Sequence, residues 1–154
     1  MLNEGDKAPD FELADQTGKV HKLSDYCGKI VAVYFYPRDD TPGCTKQACS
    51  IRDGWSELQK AGVVVLGISG DDEKSHGAFA AKYNLPFPLL ADTTKKTIQA
   101  YGAWGEKNLY GKIMQGIFRT TFIINRSDVI QTVISKVDTE HHAEQILQAI
   151  KTNE

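Results

Sequence analysis

Residues 30–44 read Ile-Val-Ala-Val-Tyr-Phe-Tyr-Pro-Arg-Asp-Asp-Thr-Pro-Gly-Cys, an apolar run followed by a turn-forming segment and a cysteine. The run Ile30–Tyr36 has the length of a strand and is apolar at every position. Strands that are apolar on both faces lie in the middle of sheets whose two faces are covered. The segment therefore predicts the centre of the sheet, with a loop and a cysteine at its carboxyl end.

Strand and helix patterns alternate on either side of this segment. The strand-like segments are Val63–Ser69, Thr121–Ile124 and Val129–Val137, and a hairpin over Phe11–Tyr26 precedes them. Helical spacing of apolar residues occurs at Ala48, Ile51, Trp55 and Leu58, at His76, Phe79, Ala80 and Tyr83, and at Ala143, Ile146, Leu147 and Ile150. The order predicts one α/β domain over residues 1–154, with a mixed central sheet flanked by helices and an N-terminal β-hairpin.

The composition excludes several functional classes. The 154 residues include 18 basic and 20 acidic side chains, so the formal charge is -2, without the positive excess of a nucleic-acid binder. No window approaches the roughly 18 apolar residues of a membrane helix, and the first residues do not form a signal peptide. We therefore expect a cytoplasmic protein with neither nucleic-acid nor membrane partners.

The cysteine count points to chemistry rather than to structural cross-links. Three cysteines allow at most one intramolecular pair and leave one thiol over. A permanent disulfide is rare in the cytosol, so a reactive pair there would be transient.

Cys44 is placed where a helix start favours a thiolate. Thr41 suits the N-cap position and Pro42 the first helical position, which puts Cys44 in the first turn. Free N–H groups and the helix dipole stabilise an anion there. The apolar stripe of this helix, extended backwards, reaches Cys44, so the thiol is predicted to face inward.

A reactive thiolate also needs groups that hold its substrate. Candidate donors for developing charge are the Thr41 hydroxyl, the N–H groups of Gly43 and Cys44, and an incoming arginine. In an intact helix, Cys49 lies about 7.5 Å further along the axis than Cys44 and is rotated by about 140°. A disulfide between them requires the helix to unwind. The alternative interpretation is two small buried residues on a helix.

The motif Pro37-x-x-x-Thr41-x-x-Cys44 resembles the active-site motif of the peroxiredoxins. The longer string Tyr36–Cys49 is similar to the bacterioferritin comigratory protein, or peroxiredoxin Q, subfamily. The resemblance extends from about Gly5 to the final helix, through the segments Gly67–Ser69, Tyr101–Lys107, Tyr110–Lys112 and Gly116–Ile124.

The resemblance implies a thioredoxin-like fold and a thiol-dependent peroxidase of the atypical 2-Cys type. Its substrates would be hydrogen peroxide and organic hydroperoxides, and Cys44 would be the thiolate that they oxidise to a sulfenic acid. Pro37, Thr41 and Arg119 match family residues that shield the pocket, bind the peroxide and polarise it. Cys49 matches the resolving cysteine, which forms an intramolecular disulfide.

The resemblance also implies the surroundings of the site. Gln47 falls where a brace for Arg119 is expected. From the residues themselves, Trp104 and Tyr110, which flank a glycine-rich segment, are either packing residues or a wall of the peroxide pocket. A thioredoxin-type dithiol would recycle the disulfide, no metal or organic cofactor is implied, and the subfamily is usually monomeric. Cys27 matches no role in the motif.

Two other functions remain open at this stage. A dithiol–disulfide oxidoreductase usually has Cys-x-x-Cys at this helix start and a proline before a later strand. The spacing here is Cys-x4-Cys, and Arg119–Phe122 contains no proline. A non-enzymatic redox sensor or holdase could use the same disulfide.

The remaining polar residues are predicted to be structural. Adjacent His141 and His142 lack metal-ligand spacing and are predicted to face solvent, and His76 is predicted at the boundary of a helix stripe. Asp39-Asp40 and Asp71-Asp72 are interpreted as loop and capping groups.

Overall fold

A computed structural model describes residues 1–152 of the chain. The strands are β1 Glu12–Ala14, β2 Val20–Lys22, β3 Ile30–Phe35, β4 Val63–Ser69, β5 Leu89–Ala91, β6 Trp104–Leu109, β7 Lys112–Ile117, β8 Thr120–Ile124 and β9 Ile130–Ile134. The α-helices are α1 Pro42–Asp53, α2 Trp55–Lys60, α3 Glu73–Tyr83, α4 Lys96–Ala100 and α5 His142–Thr152, and a 3₁₀ turn spans Leu23–Tyr26. None of the helices within residues 1–152 is long and apolar enough to cross a membrane.

The central sheet is mixed and has the strand order β5-β4-β3-β8-β9. Strand β3 pairs in parallel with β4 and antiparallel with β8, so it lies at the centre, as its unbroken apolar sequence predicted. Strands β1 and β2 form the predicted antiparallel hairpin. The prediction of a mixed sheet with an N-terminal hairpin is therefore confirmed.

Both faces of β3 are buried because its side chains alternate between two apolar cores. Ile30, Ala32 and Tyr34 pack in the core that contains residues of α1, α2, α3 and α5. Val31, Val33 and Phe35 pack in the other core, with aromatic residues such as Tyr101 and Phe122. This arrangement explains why no polar residue interrupts the strand.

Several elements differ from the sequence expectation. The single helix predicted through Leu58 is divided at Gly54, where an added Cβ would lie 2.6 Å from the Cβ of Ala143. Gly54 therefore permits close packing against α5.

The β6–β7 hairpin was not predicted, because its two-residue turn is Tyr110-Gly111, with φ of 55° and 81°, rather than a common turn pair such as Asn-Gly. Strand β5 and helix α4 are too short to show a periodic pattern.

The sheet register brings two chain segments to one edge. Phe35, the last residue of β3, pairs with Thr120, the first residue of β8. The loop after β3 leads to Cys44, and Arg119 immediately precedes β8. The register therefore places the start of α1 beside Arg119.

Gly67→Ala should destabilise the fold, because an added Cβ would lie 2.8–2.9 Å from the ring and hydroxyl of the buried Tyr34. We expect a loss of about 1–3 kcal/mol in the free energy of unfolding, measured by urea titration. Gly77→Ala in α3 is the matched control, since its Cβ would meet only the Gln16 carbonyl oxygen, at 3.9 Å. That variant should gain about 0.5 kcal/mol. Equal stabilities for the two variants would contradict the packing argument.

Candidate active site

Cys44 lies in the first turn of α1 and faces inward, as predicted. Thr41 is the N-cap and Pro42 is the first helical residue. The Thr45 N–H donates to the Thr41 carbonyl oxygen at 2.8 Å, so the amides of Gly43 and Cys44 precede the first hydrogen bond of the helix. Cys44 is only 2% exposed. The thiol thus lies at the positive end of the helix, largely out of bulk water.

Arg119 connects the thiol to the adjacent helix turn. Its Nη2 lies 3.4 Å from Cys44 Sγ, and its Nη1 donates to Gln47 Oε1 at 2.7 Å. Gln47 is fully buried, which fits the predicted brace. A Cβ on Gly43 would lie 3.0 Å from Arg119 Nη2, so glycine at position 43 lets the guanidinium approach the helix start.

Thr41 occupies the predicted N-cap position, but its side chain does not cap the helix. The Thr41 hydroxyl instead donates to the Arg38 carbonyl oxygen at 2.9 Å. Because a hydroxyl has one hydrogen to donate, the Thr41 oxygen can act toward any further partner only as an acceptor. This bond also holds the loop against the first residue of the helix.

Pro37 and Trp104 line the same groove, of about 460 Å³. Its wall also includes Arg38, Lys95, Lys107, Leu109, Met114 and Ile117. Trp104 thus lies in a groove beside Pro37, whereas Tyr110 is fully exposed in the β6–β7 turn. Burial and the charge of Arg119 lower the pKa of Lys107, and Cys44 acts in the opposite direction. Lys107 therefore interacts electrostatically with both Arg119 and Cys44.

The three cysteines have different surroundings. All are free thiols: Cys44 is buried, Cys49 is partly buried and Cys27 is exposed. Cys44 and Cys49 lie in the same uninterrupted helix, α1. In that helical form the two thiols point to different faces.

The prediction that His142 faces solvent is wrong. His142 is fully buried, whereas its neighbour His141 is exposed and interacts with Asp138. The Nδ1 atom of His142 lies 2.8 Å from Gln145 Oε1, and Nε2 lies 2.7 Å from the Thr121 hydroxyl. Thr121 is 21 residues away in the sequence, so no local pattern could have indicated this contact.

The protonation state of His142 follows from its partners. Gln145 Oε1 also accepts from the Asp138 N–H, and Gln145 Nε2 donates to the Lys136 carbonyl oxygen. Since Oε1 is an acceptor, Nδ1 of His142 must carry a proton. Burial, followed by the charge of Arg119, lowers the pKa of His142, so Nε2 is unprotonated and accepts from Thr121.

His76 also differs from its predicted position, whereas Asp39 lies in a loop as predicted. His76 is fully buried rather than at a boundary, and Asp39 is buried although it lies in a loop. Asp72 caps α3 as predicted, by accepting from the Ser75 N–H at 2.8 Å. Donor atoms of Asp39, Asp71 and His76 lie within 4.8 Å of one another, but these side chains already hydrogen-bond to protein groups.

We expect the His142 ring to be neutral at pH 6.5, which is the ordinary pKa of a histidine, and to carry its single proton on Nδ1. Its contribution to stability should be complete above about pH 6.5 and decrease as the pH falls, because the unfolded chain binds the proton more readily. Two-dimensional ¹H–¹⁵N spectra of the ring nitrogens measure the protonation state and the tautomer, and urea titration at several pH values measures the contribution to stability. His141 is the internal control, since Asp138 raises its pKa. A His142 ring that is protonated at or above pH 6.5 would exclude this interpretation.

Comparison with known proteins gives a consistent assignment. The AhpC/TSA family matches residues 4–133. Peroxiredoxin Bcp of Escherichia coli is 45% identical over 150 residues, which are 97% of this chain and 96% of that protein. Peroxiredoxin Bcp of Bacillus subtilis is 42% identical over 147 residues, 96% of this chain and 94% of that protein.

The solved structure of Xanthomonas campestris bacterioferritin comigratory protein, described for its alkyl peroxide reduction activity, is 35% identical and has a TM-score of 0.86. The alignment covers 92% of this chain and 90% of that one. This likeness confirms the predicted thioredoxin-like fold. The chain belongs to the AhpC/TSA family, within its Bcp and peroxiredoxin Q members, and is a thiol-dependent peroxidase.

Proposed function

We propose that Cys44 is the thiolate that attacks the hydroperoxide. The observation that carries this proposal is the Arg119 guanidinium, whose Nη2 lies 3.4 Å from Cys44 Sγ at the start of α1. The sulfur attacks the terminal oxygen of ROOH, the O–O bond breaks and the leaving RO⁻ takes up a proton. The products are a Cys44 sulfenic acid and an alcohol, or water when the substrate is hydrogen peroxide.

The groups around Cys44 have complementary roles in this step. Arg119 and the N–H groups of Gly43 and Cys44 stabilise negative charge that shifts from sulfur to the peroxide oxygens. The Thr41 oxygen accepts the hydrogen bond of the hydroperoxide, because its own hydrogen is directed to Arg38. Pro37 shields the reacting atoms from water.

We propose that Cys49 resolves the sulfenic acid. Its thiolate attacks the Cys44 sulfur, the S–O bond breaks and hydroxide leaves as water after protonation, so that one disulfide and one water form. The first turns of α1 unwind for this step, because the two thiols lie on different faces of the intact helix. The weak helix formers of α1 support this change, namely Gly43, Thr45 and Ser50.

A thioredoxin-type dithiol then reduces the Cys44–Cys49 disulfide and closes the cycle. Such a reductant is available in the cytoplasm, where we propose that the chain acts as a monomer. The groove lined by Pro37, Trp104 and Met114 accommodates the organic part of an alkyl hydroperoxide. Hydrogen peroxide needs no such groove, so both substrate classes fit the proposed site.

Cys44→Ser should abolish thioredoxin-coupled peroxide consumption. Cys49→Ser should keep the first oxidation and lose turnover, because the sulfenic acid has no resolving partner. Mass spectrometry after one equivalent of peroxide should show the loss of two hydrogens, mapped to Cys44 and Cys49. Cys27→Ser is the matched control and should behave like the wild type.

Three outcomes would overturn these assignments. Unchanged turnover in Cys49→Ser would remove Cys49 from the cycle. Strong insulin reduction with slow peroxide consumption would instead favour a dithiol–disulfide oxidoreductase. Peroxide reactivity no faster than that of a free thiol would support the redox-sensor interpretation.

Gln47→Leu should slow the oxidation of Cys44 by about tenfold, because Arg119 loses the acceptor that orients it and a buried donor is left unpaired. Gln47→Glu is the control, since its carboxylate still accepts from Arg119 and should retain most of the rate. Stopped-flow fluorescence of the reduced protein mixed with peroxide measures both rate constants. Equal rates in the two variants would show that the Arg119–Gln47 bond does not position the guanidinium.

A further inference from the structure

A buried carboxylate–histidine pair connects the active-site loop to α3. Asp39 lies between Pro37 and Thr41, and its Oδ2 is 2.7 Å from Nδ1 of His76. The His76 side chain is 0% exposed and that of Asp39 is 4% exposed. A charged loop residue that is this deeply buried contributes a fixed attachment rather than a solvated surface group.

The carboxylate of Asp39 is fully engaged. Its Oδ1 accepts from the Tyr36 hydroxyl at 2.6 Å, and its Oδ2 also accepts from the Ser75 hydroxyl at 2.8 Å. The Asp39 N–H donates to Asp71 Oδ2 at 2.8 Å. Groups outside the loop thus hold both the backbone and the side chain of Asp39.

The geometry places one proton between His76 and Asp39. Nε2 of His76 lies 3.1 Å from the Leu90 carbonyl oxygen, which only accepts, so Nε2 carries a hydrogen. Nδ1 faces the carboxylate, so a second proton lies on Nδ1 or on the Asp39 oxygen. Without this second proton, the lone pair of His76 Nδ1 would face the buried carboxylate of Asp39. The shared proton therefore makes the contact attractive.

This pair is coupled to the start of α1 through the loop. The Arg38 carbonyl, adjacent to Asp39, accepts from the Thr41 hydroxyl at 2.9 Å. The Thr41 carbonyl in turn accepts the first helical hydrogen bond, from the Thr45 N–H at 2.8 Å. The position of the loop thus determines where α1 begins.

We propose that the Asp39–His76 pair is a positioning latch that favours the wound form of α1. This proposal rests on the function proposed above. In that function, the latch keeps Thr41 and Cys44 in the arrangement in which Cys44 reacts with peroxide. It thereby opposes the unwinding that brings Cys44 to Cys49. Removing the latch should increase the unwound fraction, and thus the two steps of the cycle should respond differently.

His76→Leu should accelerate disulfide formation from the sulfenic acid by about tenfold, because the buried carboxylate of Asp39 loses its partner and the loop is released. Oxidation by peroxide should not become faster. In the reduced variant, amide hydrogens of residues 43–49 should exchange about tenfold faster, whereas those of strands β3 and β8 should be unchanged. Stopped-flow fluorescence and mass-resolved hydrogen exchange measure these quantities.

Two further variants make the test specific. His76→Asn keeps an N–H donor toward Asp39 and should restore both rates to within about threefold of the wild type. Lys82→Ala removes the exposed ion pair with Asp40, which joins the same loop to the same helix, and should have little effect. If His76→Leu does not fold, a His76→Asn variant with more than tenfold faster exchange would overturn the donor argument.

The outcomes separate the latch from the proposed catalytic cycle. Unchanged exchange of residues 43–49 and unchanged or slower disulfide formation in His76→Leu would overturn the latch. Faster exchange throughout the sheet would also overturn it, because that result indicates general destabilisation. Failure of the wild type to form a sulfenic acid would instead refute the proposed cycle, and the hydrogen-exchange result would still test the latch.

Discussion

The contact between the Arg119 guanidinium and the Cys44 sulfur, 3.4 Å apart, joins two elements that are distant in sequence. Its geometry depends on the sheet, because Phe35 must pair with Thr120 for the end of β3 and the start of β8 to share an edge. Gln47 then fixes the second nitrogen of the guanidinium. A shift of one residue in this register would turn the β8 side chains to the opposite face and remove the cation from the thiol.

The site is supported by polar groups inside an apolar core. Thr121 of β8 and His142, the first residue of α5, are fully buried and bond to each other. Among the described residues, the Tyr34 hydroxyl and Gln47 Nε2 are buried without a hydrogen-bond partner. Burial raises the pKa of Tyr34, so its hydroxyl is neutral. Such unpaired groups destabilise a fold, which is consistent with a region organised for chemistry as well as for stability.

The sequence predicted those features that depend on local patterns and failed where distant segments meet. The buried strand at Ile30–Tyr36 and the inward thiol of Cys44 follow from hydrophobic spacing alone. The burial of His76 and His142 does not, because their partners Asp39 and Thr121 come from other elements. The close approach of Gly54 to Ala143 of α5 likewise joins elements that are distant in sequence. These positions are set by tertiary packing, which overrides local propensity.

Helix α1 must satisfy two opposing requirements. Its first turn must be wound to hold Cys44 beside Arg119, yet it must unwind for Cys44 to reach Cys49 in the proposed cycle. A helix stabilised by its own sequence would satisfy only the first, and α1 contains several residues of low helix propensity. Its stability therefore depends on contacts outside the helix, from Arg119 to Gln47 and from Arg38 to Thr41. Such contacts can break individually, which would let the helix start open in the proposed cycle while the sheet beneath it stays intact.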